Sequence, residues 1–454
     1  MREVRRLRRS KKRLLAMLLA GILLIAGGCS LDVETLLTPP RAQGEQQAVQ
    51  AALETYLKDA GLAAARYTLK YPSEGEHTSA FVLCDEEGKP TTTSGERAAF
   101  AVAFYSLATA TEETHVNLLR REGEEWMSVG DSVGYGADIQ QVAFGDLNGD
   151  GMGELLTGWS TYHSKDHRLA VFTMGEELLA LSAERVYTQL YVGDITADGK
   201  DSLLLLHIGG ANKVTATLEN LRDGKLVSAA STRLDGYIQQ FGGMTLCRLA
   251  QGVHGLYVDG VKSANSMVTE LIYYKDGKLV TPFYNPLTNM TTATARATLL
   301  PSQDMDGDAQ VDIPTVTPLA GYTPQTATHT TAQLTTWRTW DYAANKWIDR
   351  QHTIRNGADG YMVILNEATL QGVTTAYDAA TRTLDIMQAA DKRVWLRLWA
   401  GEETPPPTDI ATEQVVLFSA REDGMDCTAW YDPSILDEEK VRYMVARLTS
   451  AKGE

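Results

Sequence analysis

Between two apolar runs, the stretch FGDLNGDGMGEL places Asp146, Asn148, Asp150 and Glu154 within nine residues. Like charges this close repel unless something positive lies among them. Calcium takes six to eight oxygens at about 2.3–2.6 Å and tolerates irregular geometry. A tight loop supplies them from side chains at positions 1, 3, 5 and 9 and a carbonyl at 7, with a glycine at 6 to turn the backbone. Here those positions are Asp146, Asn148, Asp150, Glu154 and the carbonyl of Met152, and Gly151 is sixth. An EF-hand is excluded. Its twelfth position requires a bidentate Glu, and this chain has Thr157 entering an expected strand.

The pattern returns twice. DMDGDAQVD offers Asp304, Asp306, Asp308 and Asp312 with the carbonyl of Gln310, but its sixth residue is Ala309. Forcing alanine left-handed costs roughly 1 kcal/mol or more. DITADGKDS offers Asp194, Thr196, Asp198 and Ser202 with the carbonyl of Lys200 and Gly199 sixth, so only two carboxylates stand at ligand positions. The expected cofactor is Ca2+, and the alternative is a set of solvated turns whose aspartates cap backbone amides.

Other chemistry is poorly supported. Gly130-Asp131-Ser132-Val133-Gly134 fits the G-x-S-x-G elbow, which needs a helix after it, whereas YGADIQQVAF runs into a strand. His163 and His167 are four apart in what reads as a hairpin loop, where that spacing gathers nothing. No glycine-rich phosphate cradle follows a strand. No catalytic residues are expected.

The elements that position the acidic loops follow a beat of about fifty residues. LLRREGEEWMSV, VFTMGEELLAL, ENLRDGKLVSA and IYYKDGKLVTP each read as strand, charged glycine turn, strand. Their glycines, Gly123, Gly175, Gly224 and Gly277, are 52, 49 and 53 residues apart. Asp146 and Asp194 lie 48 apart, and Asp304 follows after 110. The repeating unit is acidic loop, strand, strand, hairpin turn, strand, as in propeller blades. The expected fold is all-β, propeller-like, with calcium loops between blade strands and a C-terminal α+β module. The units run over 67–350 and the module over 351–454. The first unit, at Asp85-Glu86-Glu87-Gly88, and the fourth, near Met244 to Asp259, lack the ion pattern. Ahead of the units, QQAVQAALETYLKDAG puts Val49, Leu53, Tyr56 and Leu57 on one helical face within 47–66.

The N-terminus speaks to location. MREVRRLRRSKKR precedes thirteen apolar residues, LLAMLLAGILLIA, and then Ala26-Gly27-Gly28-Cys29. That reads as an export signal over 1–29 ending in a lipobox, with Cys29 the lipidation site and 30–46 a tether. The first 28 residues hold eight Lys and Arg against Glu3, so removing their +7 from −16 leaves −23. So acidic a body does not seek nucleic acid. Cys84, Cys247 and Cys427 fit no metal spacing and read as buried thiols, with one disulfide open.

FGDLNGDGMGEL resembles the FG-GAP or VCBS-type repeat of integrin-like propellers, whose D-x-[DN]-x-D-G-x-x-[DE] loops bind calcium. With LLTPPR and LKYPSEGEHTSAFVL, the chain resembles surface lipoproteins of anaerobic Gram-positive gut bacteria. The resemblance implies a calcium-stabilised propeller on the cell surface, not a reaction. With the N-terminal signal, the expected protein is an extracytoplasmic module, lipid-anchored to the cell membrane, that binds an extracellular protein or glycan and is no enzyme. Two alternatives are a propeller enzyme acting on polysaccharide, and a spacer presenting the C-terminal module.

Overall fold

A computed structural model describes residues 44–447 except 63–65, 92–97, 109–112, 135, 137, 161–164, 182–184, 402–412 and 419–425. The signal segment, Cys29, nearly all of the tether and His163 lie outside the described residues.

The described chain is nearly all β, in antiparallel meanders that follow one another along the sequence. The first sheet gathers Tyr67–Leu69, Phe81–Cys84, Phe100–Leu107, Glu113–Glu122 and Glu125–Val133. The second holds Asp138–Gly145, Glu154–Ser160, His167–Thr173, Leu179–Ala180 and Arg185–Tyr187. The third runs Gln189–Gly193, Ser202–Gly209, Lys213–Arg222 and Lys225–Arg233 in spatial order. The fourth runs Gln240–Ala250, Val253–Ser263, Ser266–Lys275 and Lys278–Val280.

Period-two alternation stacks these sheets. On Glu154–Ser160, Leu155 packs toward the first sheet and Leu156 toward the third. On Ser202–Gly209, Leu203 and Leu205 face the second sheet, while Leu204 and Leu206 face the fourth. Both faces of each inner sheet are therefore apolar, which explains the unbroken run SLLLL. The expected turns appear at Gly123, Gly224 and Gly277, all with positive φ, and Asp223 and Asp276 share that region. Gly175 is not among the positive-φ residues, because the turn after Thr173 is longer than a two-residue hairpin.

The two ends of the row are finished differently from its middle. The first sheet's outward face is covered by the helix Glu45–Asp59, whose Val49, Leu53 and Leu57 pack on Ala101, Ala103, Tyr105 and Leu119. Among the described residues, no apolar cluster joins that sheet to the fifth or sixth. At the other end, the division expected between 350 and 351 falls within the strand Lys346–Asn356. The fifth sheet, begun by Ile313–Pro318 and Gln333–Asp341, continues through that strand to Tyr361–Leu365 and Val445–Arg447. The sixth sheet, of Val373–Asp378, Thr383–Gln388, Val394–Gly401, Glu413–Phe418 and Asp426–Tyr431, packs on it with the helix Glu438–Met444. One core is thus shared across the expected boundary.

Polar groups pin the connection between the fourth and fifth sheets. The short hairpin of Tyr284–Asn285 and Met290–Thr291 hangs on two buried acids. Glu270 Oε1 accepts from Asp235 N at 2.8 Å and Thr291 Oγ1 at 2.7 Å. Asp235 in turn pairs with Lys262 at 2.8 Å and accepts from Thr291 N at 2.9 Å. Burial pushes the Glu270 carboxyl up to about 7, and its Oε2 has no partner. Cys84 and Cys247 are buried free thiols, and Cys427 is buried as well.

Candidate functional site

The three acidic loops occupy equivalent corners. Asp146–Gly153 joins the first two strands of the second sheet, and Asp194–Asp201 joins those of the third. Asp304 to Asp312 lies between Gln303, which bridges back to Asp312, and the strand Ile313–Pro318. Neighbouring corners touch. Gly153 N donates to Glu87 O at 2.8 Å, Asp146 N donates to Asp201 Oδ2 at 3.1 Å, and His254 Nδ1 lies 2.5 Å from Asp194 O.

Their backbones are congruent. Position 4 has positive φ in each (Gly149, Ala197, Gly307), and so does position 6 (Gly151, Gly199, Ala309). Ala309 therefore adopts the left-handed conformation its position requires, at 63°. The first aspartate of each loop accepts the position-6 amide: Asp146 from Gly151 at 2.9 Å, Asp194 from Gly199 at 3.1 Å, Asp304 from Ala309 at 2.9 Å. The fifth residue accepts the position-7 amide of Met152, Lys200 or Gln310, at 2.8, 3.1 and 2.8 Å.

In the second sheet's loop the side chains converge. Asn148 Nδ2 donates to Asp150 Oδ2 at 3.0 Å and Glu154 Oε1 at 2.6 Å, so the positive end of an amide dipole sits between two carboxylates. Glu154 is 2% exposed and also accepts from Leu147 N at 2.8 Å. Burial, with Asp150 and Asp146 nearby, pushes its carboxyl up to about 7. In the fifth sheet's loop, one oxygen each of Asp304, Asp306 and Asp312 fall within 4.8 Å of one another. Asp312 is buried, accepts from Thr339 Oγ1 at 2.6 Å and Met305 N at 3.1 Å, and is raised by burial. Asp308 is drawn instead toward Arg350, 3.5 Å away. The third sheet's loop is poorest: Asp194 and Asp198 are its only ligand-position carboxylates, with His254 3.8 Å from Asp194 Oδ2. An all-oxygen set with convergent carboxylates suits a hard dication, so the fifth- and second-sheet loops fit calcium better than the third's.

Sequence reasoning missed a polar cluster under the N-terminal helix. Asp131 accepts from Tyr105 Oη at 2.7 Å and Asn117 Nδ2 at 3.1 Å, and lies 2.8 Å from His115 Nδ1. This is the Asp of the G-x-S-x-G match, which lies in the strand Glu125–Val133 with no helix after it. Ser132 pairs with Val116 and so points to the opposite face, which breaks any Ser-His-Asp arrangement. His167 is also placed differently from expectation: it opens a strand and packs on Tyr187, with ring centroids 5.6 Å apart.

A second missed feature is a cavity of about 290 Å³ where the first strands of the second, third and fourth sheets lie side by side. Glu76, His77, Gln141, Phe144, Gln189 and Tyr191 are among its lining residues.

No family model matches the chain, and no curated protein matches it. Among solved structures, Sqt1 of Saccharomyces cerevisiae is similar at 8% identity and TM-score 0.31, over 73% of this chain and 92% of that one. The rhamnogalacturonan lyase YesW is similar at 13% identity and TM-score 0.31, over 81% and 74%. The Dos1 propeller is similar at 10% identity and TM-score 0.29, over 62% and 71%. At these scores the likenesses carry no argument.

Proposed function

We propose that the chain is a lipid-anchored, extracytoplasmic binding module whose stacked, propeller-like sheets are braced by calcium at their corner loops. It is non-enzymatic and presents its surface to an extracellular protein or glycan. The observation that supports this most is the congruence of three loops at equivalent corners, with the same amide-to-carboxylate bonds and left-handed positions. The ion draws oxygens from a loop that already bonds to the next sheet's loop, so its effect is to stiffen the row rather than to drive a reaction. In the second-sheet loop, calcium would take the place now filled by the Asn148 amide, with Asn148 turned to offer oxygen. Lipidation at Cys29 would hold the module on the membrane.

Thermal denaturation of the metal-free protein with and without added calcium tests this. Each occupied site adds about 1.4 kcal/mol when calcium stands at ten times its Kd. Asp304→Ala and Asp146→Ala should each blunt the rise in Tm. A melting curve indifferent to calcium and to chelator refutes the calcium role. Mass spectrometry showing Cys29 unmodified in membrane fractions refutes the anchor.

A further inference from the structure

The cavity at the first strands is built, not incidental. The segment after Tyr67–Leu69 leaves the first sheet and clamps onto the second. Ser73 N donates to Ile139 O at 3.2 Å, Glu74 N to Gln140 O at 2.8 Å, and Gln140 Nε2 to Glu74 Oε2 at 2.6 Å. Gly75, at φ +86°, then turns the chain, and a Cβ there would stand 3.1 Å from Gln141 Cγ. That turn sets His77 edge-on to Phe144, with centroids 5.3 Å apart and planes at 83°. The facing wall is Gln189 to Val192 of the third sheet, and Met244 of the fourth closes one side.

The lining chemistry selects a ligand class. Lys and Arg are absent from it among the described residues, and its one carboxylate, Glu76, repels anions. Gln141, Gln189 and Tyr191 each both donate and accept, as hydroxyl groups do. Burial lowers the pKa of His77 against the opposing pull of Glu76, which favours the neutral imidazole with its one donor and one acceptor. Gln141 Oε1 has no partner in the protein. Phe144, Tyr191 and Met244 supply flat, apolar surface beside these polar groups. The volume lies at the low end of small-molecule pockets, which suits one ring rather than an extended chain.

We propose that this cavity binds one neutral saccharide residue, hydrogen-bonded by Glu76, Gln141 and Gln189 and stacked against Tyr191 or Phe144. The inference rests on the binding reading above and gives it a site. The source of the sugar is either a free monosaccharide or the terminal residue of a glycan.

Saturation-transfer NMR on the purified full chain tests it. Probes are neutral methyl hexosides, neutral oligosaccharides ending in the same hexoses, the matching uronic acids, and the amino sugar glucosamine. Neutral hexosides should receive saturation and the uronic acids should not. Tighter binding of the oligosaccharides would assign the site to glycan ends, and equal binding to free sugars. Glu76→Gln and Gln189→Leu, at exposed and half-buried positions, should each weaken binding at least tenfold with Tm unchanged. Failure of every neutral sugar to bind, or preference for glucosamine or a uronic acid, overturns the proposal. Sugar binding indifferent to both variants places the sugar elsewhere: that overturns the site but leaves the binding reading standing. Cleavage of an oligosaccharide lost in His77→Ala would instead overturn the non-enzymatic reading.

Discussion

Glu270 offers a measurable consequence of burying an acid. Its carboxyl is fully buried, uses Oε1 for two donors, and leaves Oε2 without a partner. Burial carries it from the ordinary 4.5 to about 7. The ionised form is therefore disfavoured in the folded state but not in the unfolded one. Below pH 4.5 the group is neutral in both states and costs nothing. As pH rises toward 7 the folded state loses stability, and above 7 the loss is constant at roughly 3 kcal/mol, an upper value because Lys262 and Asp235 share the site. Glu270→Gln keeps an acceptor for Asp235 N and Thr291 Oγ1 and removes the buried charge. Scanning calorimetry at pH 5 and pH 8 reads the difference. The variant should melt several degrees above the parent at pH 8 and within a degree or so of it at pH 5. A variant less stable by the same amount at both pH values refutes the reasoning, because it shows the carboxyl acting as a needed partner rather than as a buried charge.

Two further substitutions probe the backbone. Ala309→Gly removes the strain of a left-handed alanine in the fifth-sheet loop and should stabilise the protein by about 1 kcal/mol in thermal melts, with or without calcium. Gly158→Ala should do the opposite by about 1–3 kcal/mol, since its Cβ would lie 1.8 Å from the buried Tyr187 hydroxyl. A circular-dichroism melt matching the parent's would show that the Tyr187 hydroxyl, which donates to Gln140 Oε1 at 2.9 Å, can leave that bond freely.

Local chemistry made much of the fold readable. Asp-Gly at 223–224 and 276–277 demanded positive φ at both residues, and both pairs adopt it. The acidic loops showed their congruence through residue type alone, including the strain at Ala309. Long-range features left no such mark. The Asn117–Asp131 contact depends on a bulge at Leu118/Leu119 that shifts the pairing by one residue, so counting back from the turn at Gly123 would place Asn117 opposite Gly130. The role of Ser73 to His77 depends on leaving one sheet for the edge of another, which no local periodicity encodes. The fifth sheet takes Val445–Arg447 as its last strand from about eighty residues away in sequence. Its short apolar runs gave no reason to pair with Tyr361–Leu365.

The helix on the outer face of the first sheet has an evolutionary consequence. A closed toroid accepts only the number of members whose wedge angles complete a full turn, so gaining or losing one strains every joint. A file of sheets that starts under a lid is under no such condition. Duplication of one fifty-residue segment in its middle would lengthen the molecule and create one more joint like those on either side. Relatives of this chain are therefore expected to differ in length by whole segments, with the lid kept at one end.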